Sequence, residues 1–197
     1  MKPRYPLGEA GFTLIDVLIS VFILAFGMLA LARVMAQSSL SEVEASQRSQ
    51  AMMLVQDMSE RINLNRKHAA LYVGSYSATW RPGGAADCSA MTGATKDACE
   101  WQNDAYEWQN LLAGSTTLDG TSAIGAPIAA RGCIFKPAPI TAPNIYVIAV
   151  AWQGLVPTTG SDSACGLDAF DREENRRVFS TVVQIATLRD PPPPPGP

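Results

Sequence analysis

Residues 12–32 read FTLIDVLISVFILAFGMLALA, and this apolar stretch organises the rest of the chain. A helix of about 20 apolar residues spans the hydrocarbon core of a membrane. The stretch has that length, and its one charged side chain is Asp16. A carboxylate inside a membrane helix is unfavourable, by roughly 2.5–3.5 kcal/mol at mid-bilayer. We therefore expect a membrane-spanning helix in which Asp16 needs a partner.

The composition argues against several classes of function. The net charge of −3 comes without a basic stripe, which argues against a nucleic-acid partner. The acidic residues between Asp162 and Glu174 do not have the spacing of a calcium-binding EF-hand loop. His68 is the only histidine, so any catalytic triad would have to use it. We expect no catalytic residue, no cofactor and no metal.

Four cysteines all lie beyond the apolar stretch: Cys88, Cys99, Cys133 and Cys165. They form no CxxC motif and have no histidine nearby, which argues against a zinc site. An even number of cysteines after an export signal predicts two disulfides in an oxidising compartment. Three pairings are possible, and we favour Cys88–Cys99 with Cys133–Cys165.

The N-terminus allows three interpretations. Lys2 and Arg4 precede the apolar stretch, and positive charge kept in the cytoplasm places the rest of the chain outside. A secretory signal peptide cleaved after Ala36 is one alternative, although the apolar stretch exceeds the usual length. A plain signal anchor is the second, and it explains neither Asp16 nor the junction between Gly11 and Phe12.

The third interpretation is a resemblance. Residues 11–18, GFTLIDVL, resemble the class III signal GFTLIEVL of type IV pilins and type II secretion pseudopilins. The resemblance implies that a prepilin peptidase cuts between Gly11 and Phe12 and then N-methylates Phe12. It also implies that Asp16, which stands where the family has glutamate, pairs with the N-terminal amine of a neighbouring subunit. The alternative for Asp16 is a place near the membrane interface without a role.

The apolar pattern continues as an amphipathic helix over residues 36–68. Apolar residues recur at steps of mostly three and four: Leu40, Val43, Ala51, Leu54, Val55, Met58 and Ile62. The pairs Glu44/Arg48 and Asp57/Arg61 lie at i,i+4 spacing, which supports a helix. No proline occurs between Pro6 and Pro82, so we expect one helix from Phe12 to about Arg66.

A second set of segments consists of Gln47–Ala51, Gln56–Met58, Arg61–Ile62, Asn65–Arg66 and, at the end of a predicted strand, the Trp-Gln-Gly of residues 152–154. These segments resemble the PilV family of minor type IV pilins.

For the rest of the chain we expect one short helix and a sheet. The pair Asp97 and Glu100 resembles an N-terminal cap, and tryptophans follow it at helical spacing up to Leu112. Strands are predicted at 131–136, 144–152 and 177–188, the second apolar on both faces. Residues 76–96 are a predicted loop, and residues 114–126 are a predicted loop with weak strand content.

The resemblance to pilins implies an α+β, pilin-like fold: a long N-terminal helix whose outer half packs on an antiparallel sheet. The expected segments are a leader (1–11), a transmembrane and filament-core half-helix (12–35), an amphipathic half-helix (36–68), a globular head (69–190) and a disordered proline-rich tail (191–197).

The resemblance implies a minor pilin of an inner-membrane priming and tip complex that supports twitching motility and adhesion. The head would lie in the periplasm before assembly and on the cell surface afterwards. Implied partners are the major pilin, other minor pilins, the prepilin peptidase, the assembly platform and a tip adhesin. The alternatives are a pseudopilin of type II secretion and a signal-anchored periplasmic enzyme that uses His68.

Overall fold

The structure, a computed structural model, describes residues 13–78, 85–120, 122–137 and 144–186. It divides into two units, Met1–Val43 and Glu44–Pro197. The first described element is a helix of 51 residues, α1, Leu14–Leu64, which runs through both units. The absence of proline and the good helix formers along it explain why the helix is uninterrupted. A short 3₁₀ helix, Arg66–Tyr72, follows it.

The second unit contains a four-stranded antiparallel sheet. The bounds of the remaining elements are β1 Gly74–Ser77, α2 Gly93–Leu112, β2 Leu118–Asp119, β3 Ser122–Ala123, β4 Arg131–Phe135, β5 Ile145–Gln153, a short 3₁₀ helix Glu173–Asn175 and β6 Arg176–Gln184. The strands of the sheet lie in the order β1, β4, β5, β6. Strands β2 and β3 form a separate two-stranded hairpin. A long N-terminal helix followed by a small antiparallel sheet confirms the predicted α+β, pilin-like class.

The main core lies between the helices and one face of the sheet. Val55, Met58 and Ile62 of α1 are at most 1% exposed and pack in one cluster with Ile148 and Val150 of β5. Their spacing is that of a single helix face, so the amphipathic pattern correctly identified the buried stripe. Burying such side chains contributes about 1.5–3 kcal/mol each.

The opposite face of the sheet has its own cover. Ala149 and Ala151 of β5 are fully buried there with Cys133 and Cys165. Residues 154–175, which connect β5 to β6, include Cys165 and so lie over this face. This connection explains why β5 is apolar on both sides, a pattern usual for a strand covered on both faces.

Two local predictions were wrong. Helix α2 begins at Gly93, with Thr92 at its N-cap, rather than at Asp97. Asp97 instead faces His68, so the apparent cap is a contact between elements. Strand β1 falls at the start of a predicted loop. Its sequence, GSYS, has a weak strand propensity, and it forms because β4 presents a free edge.

Candidate assembly segment and head scaffold

The first unit presents an apolar helix surface. Its large apolar side chains between Leu14 and Met35 are all more than half exposed, from 52% at Ile19 to 79% at Leu14. The most apolar 18-residue window of α1 has a mean hydropathy of 2.6 and none of it is buried within the chain. Length and composition therefore suit a membrane span, and apolar surface on this scale favours lipid or other helices over water.

Asp16 has a partner within its own chain. Its Oδ2 atom accepts a hydrogen bond of 3.0 Å from the backbone N–H of Thr13 and one of 2.6 Å from the Thr13 hydroxyl. The Asp16 N–H in turn donates to the Thr13 carbonyl at 3.0 Å. This arrangement resembles half of a capping box, in which an acidic residue reaches back to the N-cap residue.

The position of Asp16 in an apolar stretch predicted a partner from outside the chain, not Thr13. The signal that would have found Thr13 is the Thr-x-x-Asp spacing at the start of a helix. The predicted cleavage and methylation residues, Gly11 and Phe12, lie outside the described residues.

Glu44 joins α1 to the end of the sheet. Its Oε1 atom accepts from the Arg177 guanidinium at 3.4 Å and from the backbone N–H of Val156 at 3.2 Å. Arg177 also donates to the carbonyl oxygens of Val156 and Glu174. The predicted pair of Glu44 with Arg48 is therefore wrong, because the tertiary partner lies 133 residues away in sequence.

Arg61 connects the two helices. Its guanidinium contacts Asp57 at 2.7 Å within α1 and reaches Asp104 at 3.1 Å and Glu107 at 2.7 Å on α2. Burial disfavours the charge, but the hydrogen bonds that Arg61 donates to the Asp57 and Glu107 carboxylates outweigh it and raise the pKa of Arg61. The Tyr72 hydroxyl donates to Asp104, and burial together with that carboxylate raises the pKa of Tyr72. The sequence revealed only the Asp57 contact.

Trp108 anchors α2 in the core. It is fully buried, and its indole N–H donates to the backbone carbonyl of Leu54 at 2.9 Å. The ring meets Tyr76 edge-on at 5.1 Å between centroids. A side chain at Gly132 would collide with the Trp108 ring, so glycine is required on β4 for this close approach. A fully buried ring is unavailable for stacking on a ligand.

Two disulfides secure the head. One joins Cys88 to Cys99, and the other joins Cys133 of β4 to Cys165 in the connection before β6. Arg176 binds the same connection. Its guanidinium donates to three backbone carbonyls there, at 2.7–3.0 Å, and to Glu173 at 2.5 Å. These bonds satisfy a buried arginine that would otherwise be unfavourable.

His68 is oriented by two side chains. Its Nε2 atom lies 3.2 Å from an Asp97 carboxylate oxygen and its Nδ1 atom 3.2 Å from the Asn65 amide oxygen. Every cysteine is in a disulfide, so no free thiol accompanies this histidine. Within the described ranges, no cluster of three or more potential ligands is placed to bind a metal. The contact of His68 with Asp97 connects the 3₁₀ helix that follows α1 to α2.

A comparison with family models bears on the class of protein. Residues 35–105 match the model described as Tt1218-like, type IV pilin Tt1218. The matched range, just over a third of the chain, runs from the middle of α1 through β1 into α2. It supports a type IV pilin, a structural and non-enzymatic kind of protein, and with the apolar helix it fits a membrane-anchored pilus subunit. No curated protein and no solved structure matched the chain.

Proposed function

We propose that the chain is a minor pilin of the type IV pilus, a structural subunit of the inner-membrane complex that primes assembly and remains at the fibre tip. The observation that carries the proposal is the family match over residues 35–105, joined to a head of the expected class. The signal-like residues 11–18 lie outside the matched range and therefore support it independently.

The minor-pilin assignment is supported by where the PilV-like residues lie. Gln47, Ala51 and Met58 are buried on the face of α1 that packs on the head. Trp152 is 4% exposed, and Gly154 allows the Arg177 side chain to pass close to the backbone. The resemblance thus includes residues that join helix and head, while others that carry it, among them Arg48, Gln56 and Arg66, are exposed.

In this proposal the protein is a substrate and then a building block. It waits in the inner membrane with its head in the periplasm. The prepilin peptidase cleaves between Gly11 and Phe12 and methylates Phe12. The apolar half of α1 then leaves lipid for a bundle of neighbouring helices, where the Asp16 carboxylate exchanges one Thr13 hydrogen bond for the amine of a neighbour. A buried carboxylate is tolerated when a cation faces it.

Mass spectrometry of the protein recovered from cells with and without prepilin peptidase tests the class. We expect N-methylated Phe12 as the first residue only when the peptidase is present. An intact leader, or cleavage after Ala36, would contradict the proposal.

Deleting the gene distinguishes a pilus subunit from a pseudopilin of type II secretion. We expect a loss of surface pili and twitching, with protein secretion unchanged. Lost secretion with normal piliation would indicate a pseudopilin.

A further inference from the structure

Strand β6 forms an unusually open edge of the head. It is nine residues long and pairs with β5 through nine consecutive positions without a bulge. It is the last strand in the sheet order, whereas the strand at the other edge, β1, has four residues. A long, regular edge strand invites pairing with another strand, and β6 offers more unpaired backbone groups than β1.

The alternation of the ladder identifies the outward-facing groups. The Ile185 N–H donates to the Asn144 carbonyl at 2.8 Å, and the Gly154 N–H donates to the Asn175 carbonyl at 2.7 Å. In an antiparallel ladder every second residue bonds to the neighbouring strand, so the odd-numbered residues of β6 bond to β5. The even-numbered residues turn their N–H and C=O groups outward: Val178, Ser180, Val182 and Gln184. No described residue bonds to these outward groups.

The edge also lacks the features that usually prevent strand addition. Natural edges carry lysine, proline, inward-pointing charges or bulges. Residues 178–184, VFSTVVQ, contain no charge and no proline. The two arginines that precede them already form salt bridges, Arg176 with Glu173 at 2.5 Å and Arg177 with Glu44 at 3.4 Å. An uncharged strand therefore complements this edge, while a charged one would be left without a counter-ion.

An apolar row across the sheet ends at the same edge. Phe135, Val147 and Val182 are direct neighbours on β4, β5 and β6. The first two are half-buried, whereas Val182 is 66% exposed. Cross-strand apolar pairs are a main source of sheet stability. A further strand with an apolar residue opposite Val182 would continue the row and bury its exposed end.

The chain's own C-terminal tail does not suit this edge. Residues 191–195 are five consecutive prolines, which have no N–H to donate to a ladder.

A second copy joined through a twofold axis is unsuitable for a different reason. If two β6 strands pair antiparallel, the twofold axis that relates the two copies is perpendicular to the sheet. The α1 segment that packs on the sheet then points in opposite directions in the two copies. Glu44 follows the apolar stretch by about ten residues, so two copies anchored in one membrane must both keep that end of the segment near the membrane.

We propose that β6 is the docking edge for the first strand of a neighbouring fibre subunit with the same kind of head. In a four-stranded antiparallel sheet, the first and last strands run in opposite directions. A neighbour in the same orientation therefore brings its first strand antiparallel to β6, while all helices keep one direction. Strand addition of this kind gains main-chain hydrogen bonds and selects its partner by alternate side chains. The inference rests on the proposed function, because it assumes neighbours in a fibre.

Three substitutions at Val182 test the role of the edge in cells that assemble the fibre. Val182→Pro removes only an outward N–H, which edge strands tolerate, and Val182→Lys adds a charge to the edge. Val182→Thr keeps both the N–H and the branched shape and is the control. We expect about tenfold less incorporation into sheared fibres or tip complexes for Pro and Lys, and wild-type incorporation for Thr. Thermal melting and disulfide content show whether each variant folds. If the Val182→Pro variant does not fold, the Val182→Lys variant tests the edge.

A photo-crosslinking amino acid at position 182 identifies what lies beside the edge. We expect crosslinked peptides from the first strand of a different subunit, and none from an equivalent probe at Ile124, which is similarly exposed on the hairpin. Crosslinks to position 182 of a second copy, to a segment other than a strand, or equally at both sites would overturn the proposal, as would wild-type incorporation of Pro and Lys variants. An unprocessed N-terminus in the wild type counts instead against the proposed function.

Discussion

Removing the Cys133–Cys165 disulfide should destabilise the head more than removing Cys88–Cys99. The two pairs close chain segments of 32 and 11 residues. Loop-closure entropy of the unfolded chain then predicts losses of about 3.7 and about 2.8 kcal/mol. The variants are Cys133→Ala with Cys165→Ala, and Cys88→Ala with Cys99→Ala as the matched control. Each double variant removes one disulfide, and at least one cysteine of each disulfide is buried.

The structure adds a local term in the same direction. The longer loop covers Ala149 and Ala151 on the second face of the sheet, so its release also exposes apolar surface. The Arg176 hydrogen bonds to the loop carbonyls remain and limit this opening. For a head of this size the loop-closure loss alone corresponds to a fall in Tm of roughly 7–15 °C, since each kcal/mol shifts Tm by about 2–4 °C.

Urea unfolding of the full chain in detergent, followed by tryptophan fluorescence, measures both variants because Trp108 is buried in the folded state. Removing a crosslink lets the unfolded chain expand and so raises the dependence on urea, and for this reason the free energies extrapolated to water are compared rather than the midpoints. If the control pair is lost at the same or greater cost, loop closure and cover of the second face are not what stabilises this head, and the reasoning fails.

Three other substitutions probe separate features. Trp108→Phe should cost about 2–3 kcal/mol, because it removes the buried hydrogen bond to Leu54 and part of the packing; urea unfolding within 0.5 kcal/mol of wild type would argue against this anchor. Glu173→Gln should make the Tm of the head less dependent on pH in the acid range. The hydrogen bond from Arg176 lowers the pKa of Glu173, so its stabilisation is present above the ordinary value of 4.5 and is lost as the pH falls through the lowered folded-state value. Thermal melts at stepped pH that superimpose for variant and wild type would exclude this linkage. Asp16→Asn should be processed normally yet assemble poorly, because it removes the charge and keeps the shape; pili that contain it at wild-type levels would rule out pairing with an amine.

The candidate assembly segment could be predicted from local pattern, whereas the head could be predicted only in outline. Hydropathy and the spacing of apolar residues are properties of neighbouring positions, so α1 and its buried stripe followed from them. Strands β4, β5 and β6 were located within a few residues, because runs of branched and apolar residues mark them. Strand β1 was missed because GSYS forms a strand only beside β4.

Polar contacts between distant residues could not be predicted. The i,i+4 spacing predicts Asp57 as a partner of Arg61, but Asp104 and Glu107 lie 43 and 46 residues from Arg61 in the sequence. Nothing in local spacing distinguishes these carboxylates from others on α2. The same holds for the choice of Arg177 over Arg48 as the partner of Glu44, since an exposed i,i+4 pair gains only a few tenths of a kcal/mol and yields readily to a tertiary contact.

By itself, the sequence determined the class of fold, the apolar segment suited to a membrane and the presence of disulfides. These depend on composition and short-range periodicity, which any stretch of chain carries with it. The tertiary structure decided which residues close the head and that β6 is left as an open edge. Strand order and side-chain neighbours arise from the packing of distant segments, and that packing determines which surface remains for another subunit.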